Sequence, residues 1–335
     1  MGAQGSRKGS VRLLYGVGTE VTETFRWAMY TNPHGFGLNA QTLPKALRFY
    51  LQSPPGRIFV SGDLSQAEAR VVAYLSRCKS LIDLFSDPSR HIHMENALAV
   101  FGHSIEKDTP EYTLAKAVVH ASNYGEGPFR FSTQAGIPVS FARQLLSNYH
   151  RARPEIKIWH KWVWDQIMRT GQLRTCLGDE RTFYEAISCF SLTGKMTDSH
   201  WKDAIAWVPQ TLVPHVLDIG LLAMADLRDQ GMDLQFHHQG HDSFLCSVPC
   251  GEELSFFTAI QPVYAGIGLV APGGRFIIPQ EYTVGYSFGD MFPYSGSSLS
   301  VESWQSMVSK KLAKKPREQQ ILEGTYGALL KDWRA

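Results

Sequence analysis

Cysteine is scarce: the 335 residues include five, Cys78, Cys176, Cys189, Cys246 and Cys250. Their number is odd and none forms a CxxC pair, which excludes a disulfide framework and gives no zinc or thioredoxin-type signal. A reducing compartment follows, intracellular and cytoplasmic, and that of a host cell if the chain is viral. Long apolar runs are lacking too. No stretch of about 18 such residues exists, so no membrane span and no membrane partner is predicted. The N-terminus, MGAQGSRKGS, has no apolar core and is not a secretory signal. Gly2 and Ser6 fit a myristoylation pattern, a short match read as chance. An excess of one charge is missing: 33 Lys and Arg face 31 Asp and Glu, for a net charge of +2. That balance neither demands nor forbids a nucleic-acid partner. There is no internal repeat at solenoid periods. What is present is ordinary globular composition, 44% hydrophobic and 19% charged, which excludes a disordered chain. The length allows one large domain or two to three compact modules.

Along the chain, residues 1–10 are small and polar and are expected to be disordered. Residues 57–62, RIFVSG, form a short run rich in β-branched and aromatic residues and read as a buried strand. The strand runs into DLSQAEARVVAYLS, where Ala67, Val71, Val72, Tyr74 and Leu75 have helical spacing. Ser65 is the expected N-cap, with Glu68 completing a capping box. Asp63 thus lies where a strand ends and a helix begins. Residues 91–101 and 111–124 read as helices joined by a polar loop holding Pro110. Residues 154–170 read as an aromatic-rich helix, and 172–185 as a hairpin turning at Gly178-Asp179. Residues 201–230 read as a long helix that Pro209 and Pro214 should kink. Strands are predicted at 234–238 and 244–248, with Gly240-His-Asp-Ser between them as a tight turn. Helices in the middle and strands toward the ends predict an α+β fold: a sheet with an inserted helical module. The segment 301–335 carries Lys310, Lys311, Lys314, Lys315 and Arg317, a solvated helix with a possible role in phosphate contact.

Three features carry chemistry together. They are Asp63 in DLSQAEAR; the helix with Lys116, His120 and Tyr124 four apart on one face, in AKAVVHASNYG; and the strand–turn–strand QFHHQGHDSFLCSV with Asp242 at its tip. Singly, each has a plain structural reading as a cap, a solvated face or a turn.

In this order and spacing they resemble the family A DNA polymerases. DLSQAEAR resembles the first palm motif of that family, AKAVVHASNYG the fingers-helix motif, and GHDSF the second palm motif. TFRWAMYTNPHGFGLNAQTLPK, RHIHMENALAVFG, the segment from PEIKIW to TCLGDER, and WVPQTLVPHVLDIG resemble further family segments. The resemblance covers about residues 20 to 290.

The resemblance implies a right-hand polymerase fold with an antiparallel palm sheet, inserted helical fingers and a thumb largely absent. The implied division is 1–20 disordered or residual connection, 21–76 palm, 77–200 fingers, 201–300 palm and 301–335 a helical basic tail. The implied activity is template-directed DNA synthesis from dNTPs, with two Mg²⁺ ions as cofactors and primer–template DNA as partner. Phosphoryl transfer of this kind develops charge on attacking, transferring and leaving oxygens, and two divalent ions can hold both ends. Hard Mg²⁺ takes carboxylate oxygens. Asp63 and Asp242 are therefore the implied metal ligands and catalytic residues, with the Leu64 carbonyl as third donor. Lys116 would neutralise the triphosphate, His93 would contact a phosphate, and His120 and Tyr124 would wall the base and sugar. Glu68 would lie beneath the deoxyribose and exclude a 2′-OH. Arg26, Asn39, Gln41, Gln210 and His241 match positions that contact template or primer.

Three positions depart from the family pattern. Tyr112 stands where the fingers helix carries Arg, with Lys107 and Arg90 as candidate replacements for that charge. His120 replaces an aromatic Phe or Tyr. Ser243 replaces the carboxylate that follows the second palm Asp. Two other readings compete with this one. A single-subunit RNA polymerase also has a His-Asp-Ser hairpin, but Glu68 argues against it. A catalytically inactive DNA-binding or assembly subunit of a split replicase is disfavoured by the intact Asp63, Asp242 and Lys116. No DxE-type acidic cluster precedes residue 60, so no proofreading activity is expected of this chain. A second polypeptide or a missing N-terminal segment is expected to supply thumb and exonuclease.

Overall fold

The computed structural model describes residues 16–18, 22, 24, 26–30, 40–107, 109–193 and 197–313. The expectations for residues 1–10, for Asn39 and for Lys314, Lys315 and Arg317 lie outside them. The elements run β1 (Gly16–Gly18), β2 (Ala28–Tyr30), α1 (Lys45–Arg48), β3 (Arg57–Leu64), α2 (Ala67–Leu75), α3 (Lys79–Ser86), α4 (Ile92–Phe101) and α5 (Pro110–Asn123). They continue α6 (Pro128–Ala135), α7 (Val139–Ala152), α8 (Pro154–Thr170), β4 (Gln172–Arg174), β5 (Glu180–Thr182), α9 (Tyr184–Thr193) and α10 (Asp198–Asp229). Then come β6 (Gln235–Gln239), β7 (Ser243–Pro249), α11 (Glu253–Gly266), β8 (Leu269–Ala271), β9 (Gly274–Phe276), β10 (Gln280–Gly285), β11 (Phe292–Pro293) and α12 (Val301–Leu312).

Two compact units share these elements. The described residues of the first fall within Met1–Ser65, Pro214–Gly266 and Pro279–Ala335, and those of the second within Gln66–Val213 and Ile267–Ile278. The first unit is built on a five-stranded antiparallel sheet ordered β11-β10-β3-β7-β6. Strand β3 is central because Ile58, Phe59, Val60 and Leu64 are apolar and fully buried, so both of its edges must be paired. On β7, Phe244, Leu245, Cys246 and Val248 are likewise buried. Helix α11 covers the sheet with Phe256, Phe257, Ile260 and Tyr264, and the Tyr264 hydroxyl donates to the Leu217 carbonyl on α10 at 3.3 Å. Gly62 permits a close approach: a Cβ there would meet the Phe244 ring at 2.5 Å. Without that Cβ, the ring can lie against β3 one residue before Asp63. Helix α12 is capped by the Ser300 hydroxyl and buries Trp304, whose indole N–H donates to the Asp290 carbonyl at 2.8 Å. Lys311 is bound to Asp290 at 2.6 Å, so this member of the basic segment serves the fold, while Lys310 is exposed.

The second unit is mainly helical. Its core gathers Val71, Leu84, Val100, Val118, Leu145, Tyr149, Ile156, Val163, Ile167 and Trp207, all almost wholly buried. The β4–β5 hairpin turns through Gly178, whose φ of 101° is the left-handed region that favours glycine. Two local expectations are corrected. Ser65 is not the cap of α2: Gln66 is, in the αL region and without a side-chain cap bond, because the Ser65 hydroxyl is bound to Glu281 instead. Pro110 is not in a loop but opens α5 at its first turn, with Thr109 Oγ1 accepting from the Tyr112 N–H at 3.2 Å. Helix α10 runs unbroken through Pro209 and Pro214, both within a largely buried stretch. The segment Ser199–Asp229 has the length and apolar composition of a membrane-crossing helix, but more than half of its most apolar 18-residue window is buried within the protein.

Candidate active site

In the first unit, chemistry concentrates at one end of the sheet. Strand β3 delivers Asp63 at its penultimate position. The β6–β7 turn delivers Asp242, with the Gly240 N–H bound to the Ser243 carbonyl at 2.6 Å and the Leu64 N–H bound to the Asp242 carbonyl at 2.8 Å. The second contact holds the turn against the end of β3. Asp63 is paired across the ladder with Ser243 on β7 and with Glu281 on β10. Its environment pushes the Asp63 carboxyl up to about 7, through partial burial first and then the charges of Asp242 and Glu281. Among the described residues neither Asp63 nor Glu281 has a cationic side chain as partner. A bound cation reverses this balance and keeps both aspartates ionised. The donors are hard oxygens, which suits Mg²⁺. Among the described residues no three His, Cys, Asp or Glu side chains converge as a ready-made cage.

In the second unit, α5 presents Lys116 and His120 four apart and exposed, and Tyr124 follows as its C-terminal cap residue, buried. Ala115, Val118, Ala121 and Ser122 are buried on the other side, which fixes the helix orientation. The Tyr124 hydroxyl donates to Glu68 on α2, and the His120 ring lies edge-on to Tyr124 at 4.9 Å. The Lys116 ammonium sits 4.5 Å over the Tyr112 ring, and His93 meets the same ring edge-on at 5.9 Å. All five nucleotide-site residues read from the sequence are therefore joined by two short chains of contacts along α5, His93–Tyr112–Lys116 and His120–Tyr124–Glu68. Tyr112 supplies a π face to Lys116 instead of a second charge. Of the candidates to replace that charge, Arg90 is engaged by Glu95 and Lys107 is exposed.

The expected DNA contacts divide between the units. In the first, the Gln41 amide donates to the carbonyls of Trp27, at 2.9 Å, and Gln239, at 3.2 Å. The Arg26 carbonyl accepts from Thr22, and His241 is exposed beside Asp242. Gln210 lies on α10 within the second unit, half-buried. Sequence reasoning missed Asp218 and Gln239. The Gln239 amide points at Asp218 Oδ1 at 3.5 Å, and Trp27 hydrogen-bonds the same carboxyl, whose surroundings push it up to about 6 chiefly by burial. It also missed Glu281, for which the alternation Gln-Glu-Tyr-Thr-Val in β10 is the only local signal. A cleft of about 450 Å³ in the first unit, lined by Met232, Val248 and Phe256 among others, includes none of these residues.

Comparison with known proteins gives concordant results. Residues 39–264 match the family described as DNA polymerase family A. The DNA polymerase of Mycobacterium phage D29 is 32% identical over 145 residues, 42% of this chain and 24% of the phage protein. DNA polymerase I of Helicobacter pylori strain J99 is 25% identical over 186 residues, 56% of this chain and 20% of that protein. The chain thus spans about a fifth to a quarter of the length of these relatives. Among solved structures, the POL domain of Pol1 from M. smegmatis, in complex with DNA primer-template and dNTP, superposes with a TM-score of 0.69 at 20% identity. That match covers 82% of this chain and 48% of the other, and shows a shared fold.

Proposed function

We propose, from the premise that the chain belongs to the family A DNA polymerases, that it adds deoxynucleotides to a primer 3′-hydroxyl under the direction of a template strand. The observation that carries this reading is the placement of Asp63 at the end of β3 beside Asp242 in the β6–β7 turn, whose carbonyl accepts from the Leu64 N–H at 2.8 Å. The sheet unit takes the role of palm and the helical unit that of fingers. Primer–template DNA and dNTPs are the substrates. Two Mg²⁺ ions, held by Asp63, Asp242 and the Leu64 carbonyl, would neutralise the charge that develops on the attacking and leaving oxygens.

The chain's own residues divide the rest of the work. Lys116 offsets the negative charge of the triphosphate, and the Tyr112 ring beneath it limits the positions its long side chain takes. His120 and Tyr124 give the base and sugar an aromatic wall. Glu68 blocks a 2′-hydroxyl, and the bond from Tyr124 holds its carboxylate in one place. Arg26, Asn39, Gln41, Gln210 and His241 grip template and primer through backbone and groove atoms, which suits a sequence-independent enzyme. The chain by itself does not excise mismatches, a task we assign to a further segment or a second polypeptide.

The test is primer extension with Asp63→Ala and Asp242→Ala. Each variant is expected to lose extension, by about three orders of magnitude or more, the scale of several kcal/mol of lost transition-state stabilisation. Primer–template binding stays near wild type. Extension at the wild-type rate by either variant contradicts the assignment.

A further inference from the structure

We propose that Glu281 is a third acid of the catalytic end of the sheet: a positioning residue that raises cation affinity through its charge beside Asp63, without being a direct ligand. This deepens the reading of Asp63 and Asp242 as the metal site and rests on it. Glu281 stands directly opposite Asp63 in the β3–β10 register, and residues so placed project from the same face with Cβ atoms about 5 Å apart. Ser65 lies two residues beyond Asp63, in the turn that follows β3. Its hydroxyl donates to Glu281 Oε1 at 2.8 Å, which holds the carboxylate at the Asp63 edge and occupies one of its oxygens. That bond draws Ser65 away from the helix-capping role its sequence position suggests.

Like charges directly opposite on adjacent strands destabilise a sheet unless something offsets them. Neither Asp63 nor Glu281 has a cationic partner among the described residues, and the residue opposite Asp63 on the other side, Ser243, is neutral. The charge facing Asp63 across the sheet thus comes from β10 and not from β7. A divalent ion held by Asp63 and Asp242 would be attracted by this carboxylate as well, since Coulomb attraction between nearby charges persists through water.

The experiment uses the full chain without DNA or nucleotide, and Mn²⁺ as the probe, with affinity read by electron paramagnetic resonance. Glu281→Gln keeps the shape and an acceptor for Ser65. It is expected to weaken Mn²⁺ binding about fivefold, the Coulomb scale of removing one nearby charge in water. Ser243→Asp in the Glu281→Gln background returns a charge from the opposite strand and should recover the affinity. Melting curves separate this role from a structural one. In EDTA, Glu281→Gln should melt no lower than wild type, whereas its Mn²⁺-induced rise in Tm should be smaller. Unchanged Mn²⁺ affinity in Glu281→Gln, with Asp63→Ala weakened, overturns the role of Glu281 alone. Equal lowering of Tm with and without Mn²⁺ also overturns it. Mn²⁺ binding undiminished in Asp63→Ala, or absent from wild type, contradicts the metal reading itself and this inference with it.

Discussion

Glu68 and Tyr124 are 56 residues apart in sequence and joined by one hydrogen bond. If that bond fixes the carboxylate beneath the sugar, Glu68→Ala opens room for a 2′-hydroxyl. The ratio of ribo- to deoxynucleotide kcat/KM should then rise by about tenfold or more, the equivalent of roughly 1.4 kcal/mol of lost discrimination. Tyr124→Phe should give a smaller rise, because the carboxylate remains but is unpinned. An unmoved ratio in Glu68→Ala would show that the gate lies elsewhere. Asp218 makes a second residue-level prediction. Its carboxyl is raised from 3.8 to about 6, so folding favours the protonated form, and its contribution to stability falls as pH climbs from about 4 to about 6. Above that window the charged group costs up to about 3 kcal/mol. Asp218→Asn keeps an acceptor for Gln239 and Trp27 and removes the charge, so its stability gain over wild type should be larger at pH 8 than at pH 5. Denaturant melts at the two pH values check this, and an equal difference at both would refute it. At this scale the strand-end position of Asp63, the turn position of Asp242 and the helical spacing of Lys116 and His120 are readable from sequence because each sits in a short contiguous motif. Glu281 is not, since its partner Ser65 lies 216 residues away and nothing local marks the pairing.

The elements show the same division between local and distant causes. Strand β3, the helices α4, α5 and α8, and the β4–β5 hairpin follow from periodicity, Pro and Gly placement, and apolar runs, all within one segment of chain. The cap of α2 does not, because a tertiary contact overrides local preference: Glu281 takes the Ser65 hydroxyl. Strand β10 is six residues of weak alternation and becomes a strand through pairing with β3. Gly62 tests whether the close packing of β3 against Phe244 matters to the end of the sheet. Gly62→Ala places a methyl 2.5 Å from the ring and should cost about 1–3 kcal/mol, with extension weakened as Asp63 shifts. Urea denaturation with parallel extension assays measures both, and a neutral substitution would mean that the ring moves freely aside.

For the whole molecule, the α+β architecture and the order of its motifs were legible, since they depend on sequence order and spacing. The division into units was read at 76 and 200, whereas compactness divides the chain after Ser65 and after Val213 and returns 267–278 to the helical unit. That return depends on contacts such as the Tyr74–Phe276 stack at 4.2 Å, between residues about two hundred apart, which no window of sequence reveals. The net charge of +2 offers little sequence-independent attraction for duplex DNA. The chain alone should therefore add few nucleotides per encounter when a trap captures released DNA, and should leave a mismatched 3′ end in place. Long products from one encounter would contradict this.

The most direct measurement of the central claim is single-nucleotide incorporation by the isolated chain. A labelled primer is presented with each of the four template bases in turn, each dNTP is supplied alone with Mg²⁺, and products are quenched at early times. The account predicts addition of the complementary nucleotide opposite each base, and none from Asp63→Ala or Asp242→Ala. Addition that ignores the template base, or that survives loss of either aspartate, would contradict it.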